Sequence, residues 1–112
     1  MIQEIYPDHL CIATRQTLHA CQIETAIKDG VKGILCDKPL ATILSEMDQI
    51  VDVCKTIPFA FGLDRRWSIP YLHLTNEISK GIVGPFQSLV AYGLPNLINQ
   101  GCHWYDILLA LL

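Results

Sequence analysis

Two places in this sequence hold side chains that could do chemistry. Lys38 stands in the run Cys36-Asp37-Lys38-Pro39-Leu40, at the end of a short apolar stretch. If that stretch is a strand of an open α/β sheet, Lys38 lies where such sheets bind ligands, outside the carboxyl end of the strand. Pro39 fixes its own φ and disfavours helix at Lys38, which holds the ammonium in a defined place. The bland alternative is a solvated turn carrying an Asp–Lys pair. The second place is His103 with Asp106, three residues apart and so able to share a helix face. A carboxylate beside an imidazole sets its tautomer and raises its basicity, as proton transfer near pH 7 requires. A helix-capping histidine with an exposed aspartate gives the same spacing. Cys102 adjoins His103, yet neighbouring helical residues point in different directions, which makes the histidine a poor base for a thiol nucleophile. Asn99-Gln100-Gly101 offers a flexible polar approach to the same place. Arg65 and Arg66 either bind an anionic group such as phosphate or form a solvated basic pair at a hinge.

The elements that must position these residues read as alternating strands and helices. His9 to Thr14 is a short apolar run after Pro7-Asp8 and is predicted as a buried strand. Thr17 is placed to cap a helix running to about Asp29, with Leu18, Cys21, Ala26 and Ile27 inward and Gly30 as terminator. Gly33 to Cys36 reads as a second strand, continuously apolar, as suits a parallel sheet covered on both faces. Thr42 or Ser45 opens the clearest helix, in which Ile43, Met47, Ile50, Val51 and Cys54 recur at the 3.6-residue period. Pro58 to Leu63 is a third strand. Strands and helices alternating with short joins imply a parallel sheet with crossover helices. The pattern changes at Asp64-Arg65-Arg66-Trp67, where a domain boundary is expected, dividing the chain into residues 1–65 and 66–112. Beyond it come a helix from Pro70 to Lys80, ended by Gly81 and Gly84, a strand from Phe86 to Tyr92, and a last helix starting near Gly101.

Composition bounds the function classes. At 112 residues the chain suffices for one modest domain and is short for a complete two-domain enzyme. Hydrophobic residues make up 51%, charged residues 17%, and the mean hydropathy is +0.32. Such an apolar balance predicts faces that belong against neighbours. A net charge of −3 gives no electrostatic reason to expect nucleic acid or an anionic membrane as partner. The longest apolar run, Ile107 to Leu112, is far below the roughly 20 residues of a membrane span, and the first residues lack the layout of a secretory signal. The cysteines at 11, 21, 36, 54 and 102 form no CxxC pair and read as reduced, buried thiols of a cytoplasmic protein. With His9, His19 and His103 they give no ligand pair of zinc-site spacing, so no metal is expected. The last turn of the final helix has no cap, no cation and no polar residue, so the sequence reads as ending mid-element.

These segments taken together resemble the Gfo/Idh/MocA oxidoreductases, a family that includes glucose-fructose oxidoreductase and inositol dehydrogenase. The resemblance lies in Ile12-Ala13-Thr14, His19, and Gly30 through Ala41 with its Asp37-Lys38-Pro39. It continues in Gly62 through Tyr71, Lys80-Gly81-Ile82-Val83-Gly84, and Asn99-Gln100-Gly101-Cys102-His103-Trp104-Tyr105-Asp106. It implies the C-terminal part of a Rossmann-type parallel sheet (residues 1–65), followed by the start of an α+β substrate domain (residues 66–112). It also implies an NAD- or NADP-dependent dehydrogenase that passes hydride to or from a carbon of a sugar, polyol or related hydroxy or carbonyl compound. Lys38 would hydrogen-bond the reacting oxygen, His103 would act as general acid or base, and Asp106 would support it. Ala13, Thr14, His19, Asp37, Lys38 and Arg66 would lie along the cofactor, and Asn99 and His103 would face substrate. Two positions depart from the family pattern. Asp37 replaces the usual glutamate before the lysine, and Asn99 stands where many members carry an aspartate four residues before the histidine.

No GxGxxG occurs in the sequence, although a complete member holds the dinucleotide pyrophosphate on such a turn at a helix N-terminus. The chain is therefore expected to be a fragment of an enzyme and to be inactive by itself, and the resemblance implies that the full-length form is a homo-oligomer. The alternative is a non-catalytic remnant that binds a protein partner through its apolar faces.

Overall fold

The computed structural model describes residues 2–93 and 96–112. Among these, eight elements follow one another: α1 (Ile2–Ile5), β1 (His9–Ile12), α2 (His19–Lys28), β2 (Gly33–Cys36), α3 (Leu44–Cys54), β3 (Phe59–Phe61), α4 (Ile69–Ser79) and α5 (Cys102–Leu111). Tight three-ten turns occupy Gln16–Leu18 and Asp64–Trp67, and a π-helical segment, Leu97–Gly101, leads into α5. The chain forms two units, Met1–Gly62 and Leu63–Leu112. No helix among the described residues is long and apolar enough to cross a membrane.

The first unit is a three-stranded parallel sheet in the order β1-β2-β3, with α2 and α3 as the connections. Register puts Leu10, Ile34 and Phe59 in one row and Ile12, Cys36 and Phe61 in the next. Because strand side chains alternate between faces, both rows point the same way, into a core shared with Ile23 and Ala26 of α2 and Ile50 of α3. The opposite row, Cys11, Leu35 and Ala60, faces out, and Leu35 is 47% exposed. The described residues thus cover one face of the sheet, not the two expected from the apolar run Gly33–Cys36. Fold class and the alternation of strands and helices otherwise follow the sequence reading.

Helix ends explain the differences in detail. Thr17 does not cap α2, because the three-ten turn comes first and Leu18 occupies the N-cap without a side-chain bond. The tighter turn rotates the helix start. His19, Ile23 and Ala26 therefore face the core, Leu18 and Cys21 face out, and Ile27 packs half-buried. Gly30 ends α2 at φ +84°, with its amide bonded to the Ile27 carbonyl and that of Val31 to Ala26, both at 3.0 Å. These paired bonds satisfy carbonyls that a helix end leaves orphaned, and the left-handed φ they need suits glycine. Neither Thr42 nor Ser45 caps α3, which starts at Leu44 after an extended Ile43. Met47, Ile50 and Cys54 pack inward, while Ile43 and Val51 remain exposed, since the apolar stripe is wider than the face the sheet covers.

The second unit is helical. Pro70 sits in the first turn of α4, where its missing N–H costs no bond, and Gly81, at φ +83°, closes that helix. Among described residues of this unit, Ile107 and His103 of α5 are the buried side chains of the helices. The stretch expected as a strand, Phe86 to Tyr92, is not one. A strand needs a partner for its amides and carbonyls, and no other strand lies among the described residues of this unit.

The cysteines are free, and only Cys36 is buried; Cys11 and Cys21 are exposed and Cys54 and Cys102 half-buried. The expectation of uniformly buried thiols is thus corrected, because Cys11 lies on the open sheet face and Cys21 on the outer side of α2. Burial, with the Asp37 charge adding to it, pushes the Cys36 thiol from an ordinary 9.0 up to about 11. The unfolded chain loses that proton near 9 and the folded chain only near 11, so the unfolded state binds fewer protons between them and stability falls as pH rises through this window. Urea midpoints followed from pH 8 to 10.5 should show a loss of roughly 2 kcal/mol that is absent in Cys36→Ala. An identical pH dependence in the variant would contradict the assignment.

Candidate functional site

In the first unit the polar residues gather at the carboxyl ends of the strands. Ile12 and Cys36 are register partners, so the segments that follow them, Ala13-Thr14 and Asp37-Lys38, leave the sheet side by side. Two bonds carry the ladder past the strand ends: the Asp37 amide donates to the Ile12 carbonyl and the Gly62 amide to the Cys36 carbonyl, both at 2.8 Å. Ala13, Thr14 and Asp37 are exposed and Lys38 is half-buried. The Thr14 hydroxyl donates to Gln22 Oε1 at 2.6 Å, tying the first loop to α2. The Lys38–Pro39 peptide is cis.

His19, at the start of α2, lies behind this rim and is completely buried. Its Nδ1 is 2.9 Å from the Pro39 carbonyl and its Nε2 is 3.2 Å from the Thr14 carbonyl. One ring thus reaches the loop after β1 and the loop after β2. Gly62 was not singled out from sequence as a site residue. A Cβ there would stand 3.2 Å from Asp37 Cα and from the Cys36 carbonyl, so the chain passes the Asp37 turn at backbone distance. A glycine directly after a strand was the available signal for such an approach.

In the second unit three consecutive charged residues each reach into the segment 100–106. Arg66 forks onto Asp106: Nε donates to Oδ2 at 2.7 Å, and a terminal nitrogen donates to Oδ1 and to the main-chain carbonyl, the latter at 3.0 Å. Two-point pairing of this kind suits the planar guanidinium. Arg65 donates to Gln100 Oε1 and stands 6.0 Å from the centre of the Trp104 ring, a distance at which a cation still feels the ring quadrupole. The arginines expected to be open to an anion or to solvent are therefore both engaged within the unit. Asp64 brings its carboxylate to 3.8 Å from Nδ1 of the buried His103. Sequence spacing pointed to Asp106 as the acid that would serve His103. Asp64 lies 39 residues away in the chain, beyond any periodicity signal. Asn99 is exposed; its amide donates to the Asn96 side chain at 3.0 Å, and its carbonyl is 3.9 Å from the Cys102 sulfur. No group of three or more His, Cys, Asp or Glu residues that could hold a metal ion occurs among the described residues.

A parallel sheet with connecting helices and a polar rim at its carboxyl edge is the architecture of dinucleotide-binding α/β proteins. Residues 1–59, just over half the chain, match the family model described as "Oxidoreductase family, NAD-binding Rossmann fold". The chain belongs to this family, the Gfo/Idh/MocA oxidoreductases. Among solved structures it is similar to YPO2259 from Yersinia pestis, provisionally an oxidoreductase. That pair is 21% identical with a TM-score of 0.78, over 93% of this chain and 34% of that one. It is 25% identical to myo-inositol 2-dehydrogenase from Lactobacillus plantarum, with a TM-score of 0.65 over 69% of this chain and 23% of that one. With apo scyllo-inositol dehydrogenase from Lactobacillus casei it shares 22% identity and a TM-score of 0.64, with the same coverage. The chain thus spans about a third or less of these structures. No curated protein matches it significantly.

The geometry leads to two expected outcomes. Gly62→Ala should destabilise the first unit by about 1–3 kcal/mol, the usual range for a methyl forced against packed neighbours, read as a lower denaturant midpoint by circular dichroism. Arg66→Ala should cost the second unit about 2 kcal/mol or more, because the Asp106 carboxylate, 10% exposed, loses its forked partner. Both tryptophans, Trp67 and Trp104, lie in that unit, so the loss should appear in their fluorescence during urea unfolding. An unchanged fluorescence midpoint would remove the ion pair as a support.

Proposed function

We propose that this chain is part of an NAD- or NADP-dependent dehydrogenase that moves hydride to or from a carbon of a sugar, a polyol or a related hydroxy or carbonyl compound. The observation that carries the reading is the position of Lys38, immediately beyond the carboxyl end of the central strand of a parallel sheet, in a chain of the NAD-binding oxidoreductase family. The inositol dehydrogenases among the similar structures support a polyol as the substrate class.

The rim fits a nicotinamide nucleotide. It leaves Thr14 and Asp37 exposed, has the half-buried Lys38 next in the chain, and keeps a Cβ away from the close approach at Gly62. Ala13, Thr14, Asp37 and Lys38 would hold the cofactor, with His19 behind them, and a bound nicotinamide supplies the hydride chemistry. The protein's own tasks are alignment and proton movement. Lys38 Nζ would donate to the reacting oxygen. His103 would act as general acid or base, with Asp64 and Asp106 as the carboxylates of its unit that set its charge environment. Asn99 would face substrate. In this reading the first unit is part of the dinucleotide-binding domain and the second part of the substrate domain, the two meeting at Gly62–Leu63 and not between residues 65 and 66. Full activity is assigned to a protein of the length of the similar structures, acting as a homo-oligomer.

One observation favours a second reading, a partner-binding module without catalysis: the open apolar row Cys11, Leu35 and Ala60. Calorimetric titration of the folded chain with NADH and NADPH separates the two. Saturable binding, weakened about tenfold in Lys38→Ala as a lost hydrogen bond to a charged donor would require, is the expected result. A folded chain that takes up neither nucleotide would leave the module reading in place.

A further inference from the structure

His19 is the one completely buried polar side chain among the described residues, and both its ring nitrogens point at main-chain carbonyls. Those carbonyls belong to Thr14 and Pro39, the two loops that form the rim. We infer that His19 is a positioning residue: a buried imidazole clasp that fixes the backbone on either side of Lys38 and spaces its loop from the loop carrying Thr14. The inference rests on the proposed cofactor role of that rim, and it assigns His19 to the support of Lys38.

The argument runs through the main chain of Lys38. On its N-terminal side, the Asp37 amide is held by the Ile12 carbonyl at 2.8 Å. The Asp37 turn is also approached closely by Gly62, where a Cβ would stand 3.2 Å from Asp37 Cα. On its C-terminal side, Pro39 has its φ fixed by its own ring, and the remaining freedom of its carbonyl is removed by His19 Nδ1 at 2.9 Å. Lys38 is thus bracketed on both sides, and its side chain departs from a backbone with little freedom. Leu40, 8% exposed, enters the core directly afterwards and anchors the far end of the turn.

The ring also sets a distance. Its two nitrogens are a rigid, fixed span, so carbonyls held at 2.9 and 3.2 Å cannot drift apart without breaking a contact. A ring with one proton donates to one of the two carbonyls, and only a ring holding both protons donates to both. A buried polar group of this kind is costly unless partnered, and an apolar residue of similar volume would fill the same space more cheaply. The specific gain from an imidazole here is its reach to two loops at once.

The test separates the two arms. The amide of an asparagine side chain can take the place of Nδ1, and that of a glutamine the place of Nε2. His19→Asn should therefore keep the Pro39 contact and lose the Thr14 contact, and His19→Gln should do the reverse. Nitrogen-15 spectra read each arm directly, because the Leu40 amide shares a peptide unit with the Pro39 carbonyl and the Arg15 amide shares one with that of Thr14. The expected result is that Lys38 and Leu40 keep wild-type shifts in His19→Asn and move in His19→Gln, while Arg15 moves in His19→Asn. NADH affinity should follow Lys38 and Leu40, and be about tenfold weaker in His19→Gln than in His19→Asn, the effect of one buried hydrogen bond.

A merely space-filling histidine would make the two variants alike, since neither arm would matter. Equal shifts in both, or unmoved Lys38 and Leu40 amides in His19→Gln, would overturn the inference. The spectra need no cofactor. A wild-type chain that binds no nucleotide therefore counts against the dehydrogenase reading, while the shift pattern still decides whether the clasp exists.

Discussion

Two hydrogen bonds just beyond the strands govern the first unit: Asp37 amide to Ile12 carbonyl and Gly62 amide to Cys36 carbonyl, each 2.8 Å. They extend the parallel ladder by one step on either side of β2, so the three chains leave the sheet at fixed offsets. Parallel pairing puts all three carboxyl ends on one edge, and that edge is where Thr14, Asp37 and Lys38 stand. Beneath it, the rows Leu10–Ile34–Phe59 and Ile12–Cys36–Phe61 pack on α2 and α3. The apolar core therefore does more than stabilise the sheet: it fixes the platform from which the polar rim projects.

The second unit is organised by charge more than by burial. Helix α4 buries no side chain, and Ile69, Leu72 and Leu74 along it remain exposed. What joins the Asp64–Trp67 turn to α5 is a set of directional contacts: Arg66 to Asp106, Arg65 to Gln100 and Trp104, and Asp64 near His103. Polar contacts are weaker per residue than a packed core, yet they fix orientation.

How much of this could be read from the residues depended on how local the determining physics was. Strand β2 and the glycine terminators Gly30 and Gly81 were legible because a short apolar run and a left-handed φ are properties of a few neighbouring residues. The inward face of α2 was misread. Its phase is set by a three-ten turn that no residue between Gln16 and Leu18 announces, so Leu18 and Cys21 exchanged places with His19 and Ile23. Phe86 to Tyr92 has strand-like composition, but pairing is a property of two segments and cannot be seen in one. Lys38 and His103 drew notice in the sequence because they stand near the end of β2 and at the start of α5, boundaries that a short apolar run and a helical period mark locally. The contacts of Arg66 with Asp106, Asp64 with His103, and Gly62 with Asp37 link residues tens of positions apart, and no periodicity connects them.

The turn Asp64–Trp67 has a consequence for how this segment could vary. It joins two elements, and such joins ordinarily tolerate gained or lost residues. Here three adjacent side chains each have a separate destination, and a three-ten turn advances roughly 120° with every residue. One added residue would swing Asp64, Arg65 and Arg66 out of phase with His103, Gln100 and Asp106 together, rather than disturb a single contact. The length of this stretch is consequently held more tightly than the identity of any one residue in it. Changes in chain length should accumulate instead across 84–93, where the described backbone has no helix or strand to put out of step.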